Sequence, residues 1–419
     1  MPRLLRLLAL LLPLGGAACA SVPETGGSET GGPPPVILVS IDGFRPDYLD
    51  RGVTPNLNAL AASGVRAVAM HPSFPSITFP NHYTLVTGLR PDRSGIVGNT
   101  MYDPAMPGMR FSLGNRAAVT DRRWWDQAEP VWVTAERHGL RSATLFWPGS
   151  EAPIHGVRPA DWLPFDGAMP PDDRVDRLLS WFDRPPARRP RFATLYFNRV
   201  DHAGHEFGPD APQTTAAAAL IDQAIGRLVA GLRARHIDAD IIVVSDHGMA
   251  ATSMQRIVYL DRIAPAGTFR FVTGGAYAGV DAAPGVAPRA TPGQAARLAA
   301  ALLAHHDHMA CTRRQDLPER FHYGHNPRVP AFICVADVGW MIAASAAHPP
   351  RTVGGDHGYD AMAPEMNATF LAAGPAFVPG RVIGAFDNVD VYPLVMTLLG
   401  LPPLPSDGTV APFRPALRQ

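Results

Sequence analysis

Three carboxylates and three imidazoles stand in the chain where a metal site needs them: Asp42 in "VSIDGF", Asp201 and His205 in "VDHAGHEFG", Asp246 and His247 in "SDHGM", and His357 in "GGDHGYD". An Asp and a His four residues apart lie on one face of a helical turn, as two-ligand metal motifs require. Adjacent Asp246 and His247 need an irregular turn to face a common ion, and the glycines around His357 permit tight loop geometry. Mixed carboxylate and imidazole donors suit borderline cations, zinc ahead of manganese or iron. Divided between two ions, six side chains give three donors each and leave positions open for a nucleophile and a substrate oxygen, whereas a structural zinc site would use cysteines and close its shell. We keep His202, His322 and His325 outside this set as outward-facing, loop or core histidines. Asp356, beside His357, reads either as a carboxylate that orients an imidazole or as an ordinary loop residue.

A hydroxyl nucleophile has four candidates in "HPSFPSITFPNHYTLVTG" (residues 71–88), namely Ser73, Ser76, Thr78 and Thr84. A hydroxyl is a poor nucleophile at neutral pH and needs a base or a metal to lower its pKa. Thr78 also reads as the N-cap of the helix that follows, which is compatible with catalysis because a helix N-terminus favours a bound phosphate. Residue type and spacing alone leave the choice among the four open.

The elements that must position these groups begin with three nearly continuous apolar runs, "PVILVSIDGF" (35–44), "RFATLYFNRVD" (191–201) and "ADIIVVSDHGM" (239–249), which read as strands buried on both faces. Each ends at one of the aspartates. Helical patterns cover 54–63, 129–139 and 214–236 between them. Alternating buried strands and helices predict an α/β fold with a mostly parallel central sheet flanked by helices and with ligands at the carboxyl ends of the strands. One acidic residue after a strand is usually a turn former or a cap; three, two of them followed closely by histidine, point to a site. Residues 252–352 are rich in Ala, Pro and Gly and predict a less regular, smaller inserted lobe with a helix over 292–308. A strand over 368–377 and a helix over 390–400 follow. The expected catalytic domain spans 36–405.

The 419 residues carry 37 basic and 37 acidic side chains, a formal net charge of zero and a pI near 7.3. No global field then favours nucleic acid, so sequence-specific nucleic-acid binding is not expected. The chain has no lysine, which excludes P-loop and Schiff-base chemistries. Residues 1–20 read as a signal peptide, with Arg3 and Arg6 before an apolar run too short to span a bilayer, and 21–35 read as a flexible linker. The expected destination is the exterior or periplasm, either as a soluble protein cleaved after Ala20 or as a lipoprotein anchored through Cys19. Cys311 and Cys334 form a candidate disulfide in an exported chain.

The segments "ILVSIDGFRPDYL", "TPNLNALAASGV", "PSFPSITFPNHYTLVTGLRPDRSGIVGNTMYDP", "FWPGSE", "DHAGHEFGP", "VSDHGM" and "GDHGYD" resemble, in family order, the nucleotide pyrophosphatase/phosphodiesterase (NPP) family of the alkaline phosphatase superfamily. The resemblance runs from about residue 36 to beyond 390 and implies an alkaline-phosphatase-like fold and two zinc ions. One zinc would be held by Asp42, Thr78, Asp246 and His247, the other by Asp201, His205 and His357. It further implies Thr78 as the nucleophile that forms a phosphothreonine, Asn99 in "VGNTMYD" as a donor to a phosphoryl oxygen, and Phe79, Leu113, Phe165 and Tyr196 as an apolar slot that stacks a nucleobase. The expected activity is hydrolysis of nucleotide phosphodiester or pyrophosphate bonds to nucleoside 5'-monophosphates. The segment "RPADWLPFDG" departs from the tyrosine-rich family pattern and leaves base preference open. Lysophospholipid or glycerophosphodiester substrates are the main alternative. A phosphomonoesterase would prefer a serine nucleophile and an arginine on the extra phosphate charge, for which Arg45 and Arg90 are available. A sulfatase would need arginine where Ile77 stands, and a metal-dependent binding protein without turnover is the remote alternative.

Overall fold

In the computed structural model, which describes residues 33–418 apart from 266, 282–290 and 351–353, the long apolar runs become neighbours in one sheet. The expected signal peptide, Cys19 and linker residues 21–32 lie outside the described residues. The strands are β1 (Val36–Ile41), β2 (Val65–Ala67), β3 (Ser142–Leu145), β4 (Asp161–Leu163), β5 (Phe192–Phe197), β6 (Asp240–Val244), β7 (Phe370–Ala373) and β8 (Arg381–Ile383), in spatial order β8-β2-β7-β6-β1-β5-β3-β4. Of these eight only β7 runs against its neighbours. The flanking helices are α1 (Pro55–Ala62), α2 (Thr78–Thr87), α3 (Val131–Arg137), α4 (Pro171–Phe182), α5 (Arg199–Phe207), α6 (Pro212–Ala234) and α7 (Val391–Leu399).

Strand periodicity explains the two layers. Successive side chains of a strand point to opposite faces, so Val36 and Leu38 of β1 join a core with Tyr83 and Val86 of α2, Trp132 of α3 and Leu394 of α7. Ile37, Val39 and Ile41 join a second core with Leu178 of α4 and Ile221, Ile225 and Leu228 of α6. With helices on both faces, every residue of β1 is buried, which is why its sequence runs apolar without alternation. The start of α1 is tied to α6 by Asp222, which accepts from the backbone N–H groups of Asn56 (3.1 Å) and Leu57 (2.7 Å) that a helix N-terminus leaves unpaired.

Within 252–352, four antiparallel strands stand in the order Arg270–Thr273, Tyr277–Asp281, Phe332–Ala336, Met309–Arg313. Together with the helix Pro292–Leu302 they enclose a third apolar cluster that includes Val280, Leu298, Leu302, Phe332 and Cys334. That helix stops six residues short of the expected 308: His306 bridges Met309, where the next strand begins, and the run His305–His308 becomes the turn between them. Cys311 and Cys334 face one another across paired strands and are joined as a disulfide.

Candidate active site

The three strand-ending aspartates converge because β6, β1 and β5 are adjacent and parallel. Asp42 directly follows β1, Asp246 lies two residues past β6, and Asp201 sits in the first turn of the helix α5 that leaves β5. Gly43 allows this approach: its φ is +68°, and a Cβ there would sit 3.0 Å from the Asp201 Cα. Its N–H also reaches Asp246 Oδ1 at 3.3 Å. His205 lies one turn after Asp201 on α5, with Nε2 3.4 Å from Asp201 Oδ1. His357 arrives from the far end of the chain through a two-residue antiparallel ladder, Ala250–Ala251 with Gly355–Asp356. Gly354 fits there because a Cβ would fall 2.2 Å from the Gly208 nitrogen.

The three imidazoles are oriented alike. Nδ1–H of His205 donates to the Gly355 carbonyl (2.9 Å), that of His247 to Gly248 O (2.9 Å) and that of His357 to Ser76 O (3.0 Å). Because a carbonyl only accepts, each Nδ1 carries a proton, which leaves each Nε2 as the ring nitrogen that faces the site and can bind a metal. His247 Nε2 lies 2.9 Å from Asp246 Oδ2, 3.4 Å from Asp42 Oδ1 and 3.4 Å from Thr78 Oγ1. His357 Nε2 lies 3.4 Å from Asp201 Oδ1 and 3.1 Å from His205 Nε2. Asp42, Thr78 and Asp246 lie around His247 Nε2, and Asp201 and His205 around His357 Nε2; Asp201 is also within reach of Asp42 and His247, and His82 of Asp42 and Asp246. Asp356 turns away from the rings: its oxygens accept from the backbone N–H groups of His357 (2.9 Å) and Ala276 (3.0 Å), because Ser76 already holds the His357 Nδ1–H.

These donors fit cations. Asp42 Oδ1, Asp201 Oδ1 and Asp246 Oδ2 are buried without a hydrogen-bond partner, an expensive state for carboxylates unless a positive charge compensates them. Burial, then the charges of Asp246 and Asp201, push the Asp42 carboxyl well above its ordinary value. Burial opposes ionisation of Asp246 too, but the His247 and His82 rings hold it well below. Burial and the neighbouring His247 and His205 rings push His357 well below its ordinary value. A cation that enters such a site takes the place of protons.

Thr78 is the first residue of α2, with Ile77 rather than Thr78 in the N-cap position, so its hydroxyl is not spent on capping. The competing hydroxyls are committed elsewhere: Ser73 to Asn388 Oδ1 (2.9 Å), Ser76 to Tyr359 O (2.8 Å) and Thr84 to Leu89 O (2.9 Å). Asn99 Oδ1 accepts the Phe79 N–H at 2.9 Å, which leaves the Asn99 NH2 beside the start of α2 as a free donor.

A cavity of about 260 Å³ opens from Asp42, Thr78 and Asp201 and is lined by all four expected slot residues, Phe79, Leu113, Phe165 and Tyr196. Leu113 is 52% and Phe165 49% exposed, so neither is a core residue. The Phe165 ring meets Phe146 edge-on at 5.5 Å, and its backbone N–H donates to Glu151 Oε1 (2.9 Å). Tyr196 is more than a wall, since its hydroxyl donates to Asp42 Oδ2 at 2.6 Å. Among the described residues no arginine lines the cavity: Arg45 is taken by Asp47 and the Met249 carbonyl, and Arg90 by Asp387. His202 sits exposed at the cavity mouth, and His322 and His325 are exposed outside it. His82 was not foreseen from the sequence. It is buried, with Nδ1 2.9 Å from Thr78 O and 3.3 Å from Asp246 Oδ2, and the available signal was its place four residues after Thr78 on one helix.

The chain matches the family described as type I phosphodiesterase/nucleotide pyrophosphatase over residues 36–360. It is 38% identical over 383 residues to an uncharacterized pyrophosphatase/phosphodiesterase of Schizosaccharomyces pombe, covering 89% of this chain and 78% of that one. It is 36% identical to ectonucleotide pyrophosphatase/phosphodiesterase family member 3 of Rattus norvegicus over 94% of this chain, and spans 45% of that longer protein. The solved structure of murine ectonucleotide pyrophosphatase/phosphodiesterase 5 superposes with a TM-score of 0.86 and 33% identity, covering 92% of this chain and all of that one. An inactive threonine-to-alanine form of that murine protein has been solved in complex with AMP, again with a TM-score of 0.86. The strand-end carboxylates, the shared α/β fold and these matches together show that the chain belongs to the type I phosphodiesterase/nucleotide pyrophosphatase family, enzymes that hydrolyse phosphodiester bonds.

Proposed function

We propose that this chain is a two-zinc nucleotide phosphodiesterase/pyrophosphatase that releases nucleoside 5'-monophosphates through a covalent phosphothreonine at Thr78. The observation that carries the reading is that Thr78, alone among the four candidate hydroxyls, opens a helix and faces the buried carboxylates and imidazoles while lining a cavity with aromatic walls. Asp42, Asp246 and His247 would hold one ion together with Thr78; Asp201, His205 and His357 would hold the other. When bound, the two ions supply the positive charge that lowers the hydroxyl pKa and offsets charge on the phosphoryl oxygens. Thr78 Oγ1 forms the new bond to phosphorus as the bond to the leaving oxygen breaks. The free Asn99 NH2 donates to a phosphoryl oxygen. Water then displaces Oγ1, and the product is a phosphomonoester.

Phe79, Leu113, Phe165 and Tyr196 would hold the nucleobase, a sequence-tolerant stacking role. The AMP bound to the murine relative supports a nucleotide substrate. The absence of arginine from the cavity lining disfavours a phosphomonoesterase. Residues 252–352, with their own apolar cluster, would be a lobe inserted into the catalytic domain of 36–405. Export is supported by the leader-like start and by the prefix "ecto" in the rat relative's name.

The test is a substrate panel on zinc-loaded protein: 4-nitrophenyl thymidine 5'-monophosphate, 4-nitrophenylphosphorylcholine and 4-nitrophenyl phosphate. Preference for the first, loss with chelator, recovery with zinc and loss in Thr78→Ala are expected. Preference for the choline ester would move the assignment to lipid diesters, and retained turnover in Thr78→Ala would remove the nucleophile.

A further inference from the structure

We propose that His82 is a positioning residue whose Nδ1–H bonds the nucleophile-bearing turn and, by close approach, orients a metal carboxylate. The ring is fully buried and reaches three groups. On one side Nδ1 lies 2.9 Å from the Thr78 carbonyl oxygen and 3.3 Å from Asp246 Oδ2. Both are acceptors, so Nδ1 carries the proton, donates it to the Thr78 carbonyl and holds it close to Asp246 Oδ2, which has no hydrogen-bond partner of its own. On the other side Nε2 lies 2.8 Å from the Ser40 hydroxyl; with Nδ1 protonated, Nε2 accepts from Ser40 Oγ–H.

That contact fixes the tautomer from behind, since Ser40 is the buried penultimate residue of β1, two positions before Asp42. The rings of Trp147 (5.0 Å) and Tyr196 (5.2 Å) meet the imidazole at steep angles and fix its plane, and the Trp147 indole N–H donates to the His82 carbonyl at 3.0 Å. One rigid ring therefore couples β1, the loop after β6 and the first turn of α2. Rotation of the ring would release the Thr78 carbonyl and Asp246 together. A residue that acts this way changes metal retention and turnover while leaving the nucleotide slot alone, because His82 is not among the residues that line the cavity.

The assignment rests on the diesterase reading above, and amide substitutions separate it from a packing role. In His82→Asn the carboxamide nitrogen takes the place of Nδ1 and keeps the donor to Thr78 and Asp246. In His82→Gln the nitrogen reaches toward Ser40 and the Nδ1 donor is lost. Three measurements are made on each: zinc retained after a fixed chelator challenge, kcat and KM with 4-nitrophenyl thymidine 5'-monophosphate, and urea unfolding of the metal-free protein.

Expected in His82→Gln is a loss of zinc affinity and kcat of about 10–100-fold with KM unchanged, the usual effect of removing a group that orients a metal ligand. His82→Asn should recover most of that loss even where the two variants unfold at the same urea concentration. If Asn and Gln lose zinc and kcat equally, or if both losses follow the unfolding midpoint, His82 only fills space and the proposal fails. If the wild type retains zinc without hydrolysing any diester, the diesterase reading fails while zinc retention in the two variants still decides the positioning role.

Discussion

Replacing Tyr196 by phenylalanine removes one atom from the site. The ring keeps its place against Phe165 (6.1 Å between centroids) and His82 (5.2 Å), but Asp42 Oδ2 loses the hydroxyl that donates to it at 2.6 Å. Asp42 is 1% exposed and its other oxygen has no partner, so no other protein group replaces the lost donor. A buried hydrogen bond to a charged group contributes about 1.5–3 kcal/mol, which corresponds to about 10–100-fold in an equilibrium constant. The loss falls on the ionised form. Burial, Asp246 and Asp201 already raise the Asp42 pKa, and the Tyr196 hydroxyl opposes them. Without it the pKa rises further, a proton competes with the cation over a wider range, and the deficit grows as pH falls. Zinc affinity measured by competition with a chromophoric chelator at pH 6, 7 and 8 should therefore drop in Tyr196→Phe, most at pH 6, while KM for 4-nitrophenyl thymidine 5'-monophosphate stays unchanged because the stacking ring is intact. A raised KM with zinc affinity unaltered at all three pH values would refute the reasoning and reduce Tyr196 to a wall of the slot.

Phe165→Ala should do the reverse, raising KM for the nucleotide ester about tenfold by loss of base stacking while zinc retention holds; equal effects on 4-nitrophenyl phosphate would show that Phe165 does not meet the base. Asp222→Ala leaves the Asn56 and Leu57 N–H groups at the start of α1 without their acceptor and should cost about 3 kcal/mol in urea unfolding, with an unchanged denaturation midpoint as the contrary result. Asp390 has its pKa pushed up to about 6 by burial, against the opposing Thr409 N–H. A folded pKa above the unfolded one means that the native state binds the extra proton, so this group's contribution is complete below about pH 4 and is lost as pH rises through about 6. Asp390→Asn keeps an acceptor for Thr409 and cannot titrate: wild type should gain stability relative to it as pH falls from 7 to 4, and parallel pH profiles would exclude the linkage.

Local patterns carried the sheet and the residue types that meet at its strand ends because each was set by neighbours in sequence. β1 is apolar throughout since both faces are covered, and Asp201 and His205 meet because one helical turn separates them. What stayed illegible depended on contacts between distant residues. The antiparallel course of β7 is invisible in "ATFLAAGPAF", whose composition suits either direction. The turn at His305–His308 overrode a helix-like pattern because the next strand begins at Met309. The Tyr196 hydroxyl finds Asp42 across 154 positions, and the His357 ring is held by Ser76 across 281. The proposed nucleophile is the sharpest case. Four hydroxyls within twelve residues are equivalent as chemistry, and what separates Thr78 from Ser73 and Ser76 is that Asn388 and Tyr359, some three hundred residues away, occupy the other two, while Thr84 turns back on its own helix end at Leu89. The sequence can therefore state that a hydroxyl stands at this helix mouth. Which hydroxyl remains uncommitted is a property of the folded chain, and the substitution at Thr78 tests that property directly.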